Sequence, residues 1–390
     1  MSAIETTELA PGYRIPRIVR GGWQLAGDHG AVDRERAITE IGAFVAAGLN
    51  TVDGADIYTG VEALYGEFNA RRRAAVGTAG GTAAGTSGGT SGGTSVGISE
   101  RNLGGAPLQV HTKCVPDFDD LPRVDAAYIR RIVIRSLQRL NVQQLDLVQF
   151  HWWDYAVPGW IEAAQALAGL QREGLIAHLG ATNFDTPHTL AMLDAGVPLV
   201  AMQSQYSLLD RRAENGFTAM GAQRGVQLLC YGTLAGGFFS ERWLGAVEPG
   251  TQPGTQPGVE LGTEPGAELT NRSLVKYKLV IDDFGGWAAF QQLLQALKAI
   301  ADKHGVRIAT VATRWVLDRP GVAAAIVGAR YADHLADTLA VFTLKLDAQD
   351  HALLAPILAA HSGPEGDTYT AERDKNGRHG RIMKYNLNKT

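Results

Sequence analysis

Short apolar runs recur along the chain, each followed by a longer stretch in which apolar residues return every three or four positions. The runs are RIVRGGW, NTVDGA, LQVHTKC, LDLVQFHW, IAHLGAT, LVAMQSQ, VQLLCYGT and VAAAIVGA, eight in all. Runs of this length bounded by turn residues read as strands covered on both faces. The stretches between them have helical period: DRERAITEIGAFVAAG aligns Ile38, Ile41, Phe44 and Val45, and AAYIRRIVIRSLQRL aligns Ile129, Ile132, Val133, Leu137 and Leu140. Strand alternating with helix implies parallel pairing. Eight such units predict a (β/α)8 TIM barrel, a fold of roughly 250 residues.

The chain has 390 residues, and the excess has a visible place. Two segments, GTAGGTAAGTSGGTSGGTSVG at 77–97 and EPGTQPGTQPGVELGTEPGAE at 248–268, are low in complexity. Gly, Ser, Thr and Pro offer too little apolar area to offset ordering, so these read as loop insertions. Neither carries the Lys-Ser/Thr or the G-x-G-x-x-G setting that a phosphate-cradling loop needs. One catalytic domain over 1–363 is therefore predicted, followed by a charged tail at 364–390. That tail lacks helical period and is either a mobile arm or a cover over the mouth of the barrel.

Charge and cysteine usage narrow the class. The formal net charge is −4, so no basic field favours nucleic acid or an anionic membrane, and a small-molecule partner is the default. The two cysteines, Cys114 and Cys230, sit apart in apolar runs, which argues against a disulfide framework or a zinc cluster. The chain shows no run of about eighteen apolar residues and no leader-like N-terminus, so a cytoplasmic location is expected. Oligomeric state is left open.

Sites in this fold lie at the C-terminal ends of the strands. Those ends carry Trp23 and Gln24, Asp53 and Tyr58, Lys113, His151 with Trp152 and Trp153, Thr182 and Asn183, Gln203 and Gln205, and Tyr231. A phenol is a weak acid at neutral pH, and an ammonium beside it favours the phenolate; Lys113 is expected to lower the Tyr58 pKa. A buried lysine needs a counter-charge, which Asp53 on the adjacent strand supplies. His151 is placed to orient a substrate oxygen or assist proton transfer. No activated Ser or Cys accompanies them: Cys114 points away from Lys113 because strand neighbours alternate. Hydride addition to a carbonyl fits best, with Asn183 and Gln203 on a carboxamide and Tyr231 stacked on a nicotinamide.

The order VDGADIY, VHTK, SLQRLNVQQLDLVQFH, GATNF, MQSQYS and CYGTLAGG resembles the aldo-keto reductase superfamily over roughly residues 15 to 345. The resemblance implies a (β/α)8 barrel, an extended NADP(H), and interconversion of aldehydes or ketones with alcohols. It makes Asp53, Tyr58, Lys113 and His151 the catalytic tetrad with Tyr58 as proton donor, and Thr182, Asn183, Gln203 and Tyr231 the nicotinamide site. Thr182 stands where the family usually has Ser. The segment IVGARYADHLADTLA resembles the adenosine-phosphate region, with Gly328, Ala329 and Arg330 in place, His334 where relatives have Arg or Gln, and Thr338 where an Asn is common. Arg330 suits a 2′-phosphate, so NADP(H) is favoured over NAD(H).

Trp23, Trp152, Trp153 and Tyr155 are expected to wall the substrate pocket for a hydrophobic carbonyl compound. Two rival readings exist: a cofactor-binding regulatory or interaction subunit of the same fold, and a Schiff-base lyase using Lys113. A metal site is not expected, because the histidines lack partners at ligand spacing.

Overall fold

The computed structural model describes residues 4–26, 32–81, 106–250, 269 and 272–388. Ten strands form two sheets. β1 (Thr6–Ala10) and β2 (Tyr13–Pro16) make an antiparallel hairpin, and the other eight close into a barrel. These are β3 (Ile18–Gly21), β4 (Thr51–Asp53), β5 (Gln109–Cys114), β6 (Leu145–Phe150), β7 (Ile176–Thr182), β8 (Leu199–Gln205), β9 (Gln227–Tyr231) and β10 (Val322–Gly328). They follow one another in sequence order around the barrel, and β10 closes on β3 through parallel pairing that sets Gly328 opposite Gly21. Each apolar run singled out in the sequence is one barrel strand.

Around the barrel run α1 (Arg34–Ala46), α2 (Val61–Gly81), α3 (Ala126–Leu140), α4 (Trp160–Arg172), α5 (Thr186–Asp194) and α6 (Phe217–Arg224). They are followed by α7 (Arg272–Phe284), α8 (Gly286–His304), α9 (Ile308–Leu317), α10 (Leu335–Ala340), α11 (Ala348–Ala360) and α12 (Thr370–Arg373). The apolar stripes read from the sequence on α1 and α3 are buried, each large side chain contributing on the order of 1.5–3 kcal/mol. Helix starts are fixed by carboxylates: Asp33, Asp125 and Asp185 accept from the backbone N–H of Arg36, Tyr128 and His188. Asn141, at φ 53°, ends α3 in the left-handed conformation.

The low-complexity segments fall mostly outside the described residues. At the first one's edge the structure corrects the expected boundary, because α2 continues through Gly81. Extending a packed helix costs far less than starting one, so an Ala-containing stretch follows its predecessor. At the second, the Leu269 N–H donates to the Gly250 carbonyl at 2.9 Å, which brings the ends of the segment together.

The N-terminal hairpin was not predicted. It lies under the barrel, where Gln109 and Gln227, the first residues of β5 and β9, donate to the carbonyls of Arg14 (3.1 Å) and Glu8 (2.8 Å). Leu9 and Ile15 complete the barrel interior with Val19, Leu147, Ala201 and Leu229. That end is closed, which leaves the opposite end as the mouth.

Candidate active site

Alternation along β5 turns His111 and Lys113 into the barrel and Thr112 outward, where its hydroxyl donates to Glu62 at 2.7 Å. Lys113 Nζ then meets Asp53 at the end of β4: it donates to Oδ1 at 2.7 Å, to Oδ2 at 2.9 Å and to the Gly54 carbonyl at 2.8 Å. Gly22 lets β3 come close enough to hold this corner, since a Cβ there would stand 2.4 Å from the Asp53 carbonyl oxygen. Two amides complete the carboxylate's surroundings. Gln203 Nε2 donates to Asp53 Oδ1 at 2.7 Å and to Gln149 Oε1 at 3.1 Å, and Gln149 Nε2 reaches Asp53 Oδ1 at 3.5 Å.

Tyr58 follows on the loop after β4, with Lys113 Nζ 4.8 Å from its ring centroid and the Trp23 ring at 5.0 Å. Its pKa moves opposite to the sequence expectation. Burial, then Asp53 and Asp56, push the phenol well above its ordinary value, because the Lys113 charge is already matched by Asp53. The phenol therefore holds its proton at neutral pH, as a proton donor must. Burial also lowers the Lys113 pKa, with Asp53 opposing.

His151 begins the loop after β6. Its Nδ1 lies 3.0 Å from the Thr182 carbonyl, and a carbonyl only accepts, so Nδ1 carries the hydrogen. Burial, with Arg373 and Lys113 nearby, lowers the imidazole pKa to about 3. The ring is neutral, and Nε2 is a buried acceptor without a hydrogen-bond partner among the described residues. Such an atom suits a hydroxyl group on a ligand.

These residues share one cavity of about 820 Å³. Asp53, Tyr58, Lys113, His151, Thr182, Asn183, Gln203 and Tyr231 line it with Trp23 and Trp153, and it continues along Gly328, Arg330, His334 and Thr338. Its size is within the range of cofactor and substrate clefts. Asn183 is held left-handed at φ 62°, and its Oδ1 accepts from the Tyr231 hydroxyl at 2.8 Å, which fixes that ring. Gln203 differs from the expected pairing, since its nitrogen is engaged by Asp53 and only its oxygen is left for a carboxamide. Arg330 Nε donates to the Gln24 carbonyl at 3.3 Å, and buried Arg20 braces the segment by donating to the carbonyls of Ala329 (3.2 Å) and Arg330 (2.9 Å). His334 is exposed, with Nδ1 3.6 Å from Asp337.

Trp152 is a correction. It is fully buried away from the cavity, its indole nitrogen donating to the carbonyls of Asp154 and Val157. It packs beside Phe150, the last residue of β6, with centroids 6.0 Å apart, so only Trp153 of the pair reaches the cavity. Tyr155 likewise stacks on His188, centroids 3.5 Å apart.

Several lining or supporting residues were not read from the sequence. Gln149 gave no signal beyond a polar residue inside an apolar strand, which is itself informative. Tyr369 and Arg373 come from the tail. Tyr369 meets the His151 ring edge-on at 5.7 Å, and Arg373 donates to the carbonyls of Trp153 (2.9 Å) and Asn183 (2.7 Å). Farther along, Asn388 Nδ2 donates to the Val115 carbonyl at 2.8 Å.

A closed parallel barrel with a lysine–aspartate pair, a phenol and an imidazole at its mouth defines an oxidoreductase-like site. The profile of the aldo/keto reductase family matches residues 17–92 and 95–359, and the chain belongs to that family, whose members are NAD(P)H-dependent oxidoreductases. It is similar to flagellar radial spoke protein 5 of Chlamydomonas reinhardtii, 31% identical over 192 residues, which cover 45% of this chain and 34% of that protein. The chain thus spans about a third of that relative. It is also similar to the uncharacterised oxidoreductase YrpG of Bacillus subtilis, 28% identical over 255 residues, 64% of this chain and 68% of the other. Among solved structures, a glycerol dehydrogenase from Gluconobacter oxydans shares the fold with a TM-score of 0.66 at 24% identity, covering 93% of this chain and 97% of that one.

Proposed function

We propose that this protein is an NADPH-dependent reductase of aldehydes or ketones, with Tyr58 as proton donor. The observation that carries the reading is the buried, partnerless His151 Nε2 facing the same cavity as a protonated Tyr58 and the Asp53–Lys113 pair. When bound, the nicotinamide cofactor would supply the hydride that reduces the carbonyl carbon. Tyr58 gives its phenolic proton to the carbonyl oxygen, and the Lys113 ammonium lowers the cost of the phenolate left behind. Asp53 keeps Lys113 charged, and Gln203 and Gln149 hold Asp53 in place. His151 Nε2 accepts from the new hydroxyl and orients it. Asn183, Gln203 and Tyr231 hold the nicotinamide end, and Gly328, Arg330 and His334 the adenosine end.

The geometry opposes a Schiff-base role for Lys113. All three of its donors are engaged, and a nucleophilic amine needs a free lone pair. The protein acts on a small carbonyl compound in the cytoplasm, a placement supported by two buried, unpaired cysteines. Among the described residues no helix is long and apolar enough to cross a membrane.

Fluorescence titration of the protein with NADPH and NADH tests the reading. NADPH is expected to bind at least about tenfold more tightly, and Arg330→Ala to remove most of that difference, as loss of a charge-assisted contact worth roughly 1.5–3 kcal/mol requires. Equal losses for both cofactors in the variant would remove the NADPH preference. Binding of neither cofactor to the wild type would remove the reductase reading.

A further inference from the structure

A second lysine faces the cavity. Lys276 stands in the first turns of α7, whose apolar face (Leu274, Tyr277, Val280, Ile281 and Phe284) is buried and fixes the helix against the barrel. The Lys276 side chain is 15% exposed and lines the cavity together with Tyr231, Tyr277 and Tyr369. Its Nζ is 5.0 Å from the Tyr231 ring centroid, 5.7 Å from that of Tyr277 and 6.0 Å from that of Tyr369. Three rings thus surround one ammonium, and their faces favour its charge.

What the rings do not supply is a hydrogen-bond acceptor for its three N–H groups. The one carboxylate nearby is Glu372, whose Oε1 is 3.9 Å from Nζ, beyond hydrogen-bond range. Both Glu372 oxygens already accept from Arg212, at 2.9 and 3.1 Å, and Arg212 is closed on its other side by Asp210 at 2.6 and 2.9 Å. Asp210, Arg212 and Glu372 carry one net negative charge among them, which Lys276 neutralises without being tied. Among the described residues its ammonium makes no hydrogen bond. Its donors are thereby left to the cavity it lines, and methionine would fill the same space among the rings without offering any.

The cation also lies near the reacting end. A single ring, Tyr369, separates it from His151, lying 5.7 Å from the imidazole, and Tyr231 links it to Asn183. A ligand oxygen reaching Lys276 belongs to a molecule whose other end can sit at His151 and Tyr58. We propose that Lys276 binds a carboxylate on the substrate, so that the preferred substrates are carbonyl compounds bearing an acid group a ring's width from the carbonyl. The proposal rests on the reductase reading. Burial lowers the Lys276 pKa with Glu372 opposing, and an arriving carboxylate adds to that opposition and keeps the proton in place. The cofactor's phosphates offer the same anionic oxygen, and the test separates the two sources.

The full-length protein is assayed with NADPH and a matched pair, 4-carboxybenzaldehyde and benzaldehyde, as wild type, Lys276→Met and Lys276→Arg. The wild type is expected to favour the acid by at least about tenfold in kcat/KM, a difference worth about 1.4 kcal/mol. In Lys276→Met the KM for the acid should rise about tenfold or more, with benzaldehyde within threefold and NADPH affinity within twofold; Lys276→Arg should recover part of the loss. Equal losses on both aldehydes overturn the proposal, and so does a tenfold loss of NADPH affinity, which would assign the ammonium to the cofactor. Product inhibition of the wild type, tighter for 4-(hydroxymethyl)benzoate than for benzyl alcohol, tests the same point with no variant to fold. A wild type that reduces benzaldehyde but discriminates against the acid overturns this inference alone. One that binds no nicotinamide cofactor overturns the reading beneath it.

Discussion

Each end of the barrel holds a tyrosine and a buried histidine, and the two pairs differ in where their unmade hydrogen bond faces. At the closed end the Tyr13 hydroxyl meets His111 Nε2 at 3.0 Å, and Tyr13 packs on His178 with centroids 4.5 Å apart. At the open end His151 Nε2 has no hydrogen-bond partner among the described residues and faces a cavity of about 820 Å³ that Tyr58 shares. Burial lowers both histidines to a pKa of about 3 and raises both tyrosines. Neither residue type nor pKa direction distinguishes the ends. The difference is where the unmade bond lies: the partnerless nitrogen of His151 lines a cavity, with a lysine–aspartate pair beside its phenol, whereas His111, whose Nδ1 is equally without a partner, lies outside the cavity lining. Hydrogen-bonding capacity kept free for a ligand, rather than the presence of titratable groups, separates a candidate reacting site from a polar plug.

Removing the two hydroxyls gives the sharpest test. Tyr58→Phe is expected to lower the rate of carbonyl reduction by about 10²–10⁴, the range for loss of a positioned acid, with NADPH affinity unchanged by fluorescence titration. Tyr13→Phe should leave kcat within twofold. Retained turnover in Tyr58→Phe would overturn the assignment of that residue, and a comparable loss in Tyr13→Phe would erase the distinction between the ends.

Asp53→Asn comes next. It strips the counter-charge from a buried Lys113 and turns one of two accepting oxygens into a donor, and breaking a buried pair costs about 3–5 kcal/mol. The midpoint of urea unfolding should fall accordingly, and activity should fall with it. A variant of unchanged stability would show that Lys113 is supported from elsewhere.

How far the sequence reaches follows from the same contrast. The barrel was legible because the strands fall in short, largely apolar runs and helices such as α1 and α3 carry clean stripes, signals that burial itself writes. The strand ends were legible as polar residues stopping those runs, so Asp53, Lys113, His151 and Asn183 stood out. The hairpin did not, because its two strands are only five and four residues long, and its role depends on Leu9 and Ile15 meeting strands far along the chain. Lys276 and Arg373 were invisible for a related reason. Each is a single residue brought into place by long-range packing, Lys276 to the cavity after a low-complexity segment and Arg373 to the loops behind it from a tail without period. The Tyr58 pKa was misjudged because the sequence shows that Lys113 is near but not that Asp53 has already balanced it.

The pH dependence of stability sets two opposed contributions in overlapping windows. His111 and His151 are held neutral when folded, so unfolding takes up protons below about pH 6.5, and stability should fall as pH drops toward 3. Asp56 acts in the other direction. Burial and neighbouring Glu62 raise it to about 8, against the Val115 N–H, Arg135 and Asn388; Arg139, which reaches Glu62 at 3.3 Å and the Asp56 carbonyl at 2.9 Å, adds a positive charge on the same side. Its folded pKa lies above its unfolded one, so the folded state is favoured while Asp56 is protonated, and that advantage declines by up to about 1.4 kcal/mol per unit between about pH 4 and 8. Asp56→Asn should flatten the decline in urea midpoints between about pH 6.5 and 8, where the histidines no longer titrate, and steepen the net rise with pH below that. A variant that keeps the wild-type decline would mean that another group sets it.

The smallest effect belongs to the plug. Tyr13→Phe removes the partner of His111 Nε2 inside the barrel, where water does not replace it, and an orphaned buried group costs about 1–3 kcal/mol. His111→Gln in the same background restores a donor able to satisfy its own surroundings, so the double variant should regain part of the loss. If the plug is structural, both variants lower the unfolding midpoint while the reduction rate and its pH profile stay with the wild type. If instead the rate moves with the stability, the hairpin is coupled through β5, the strand that carries both His111 and Lys113, and the two ends of the barrel are not independent.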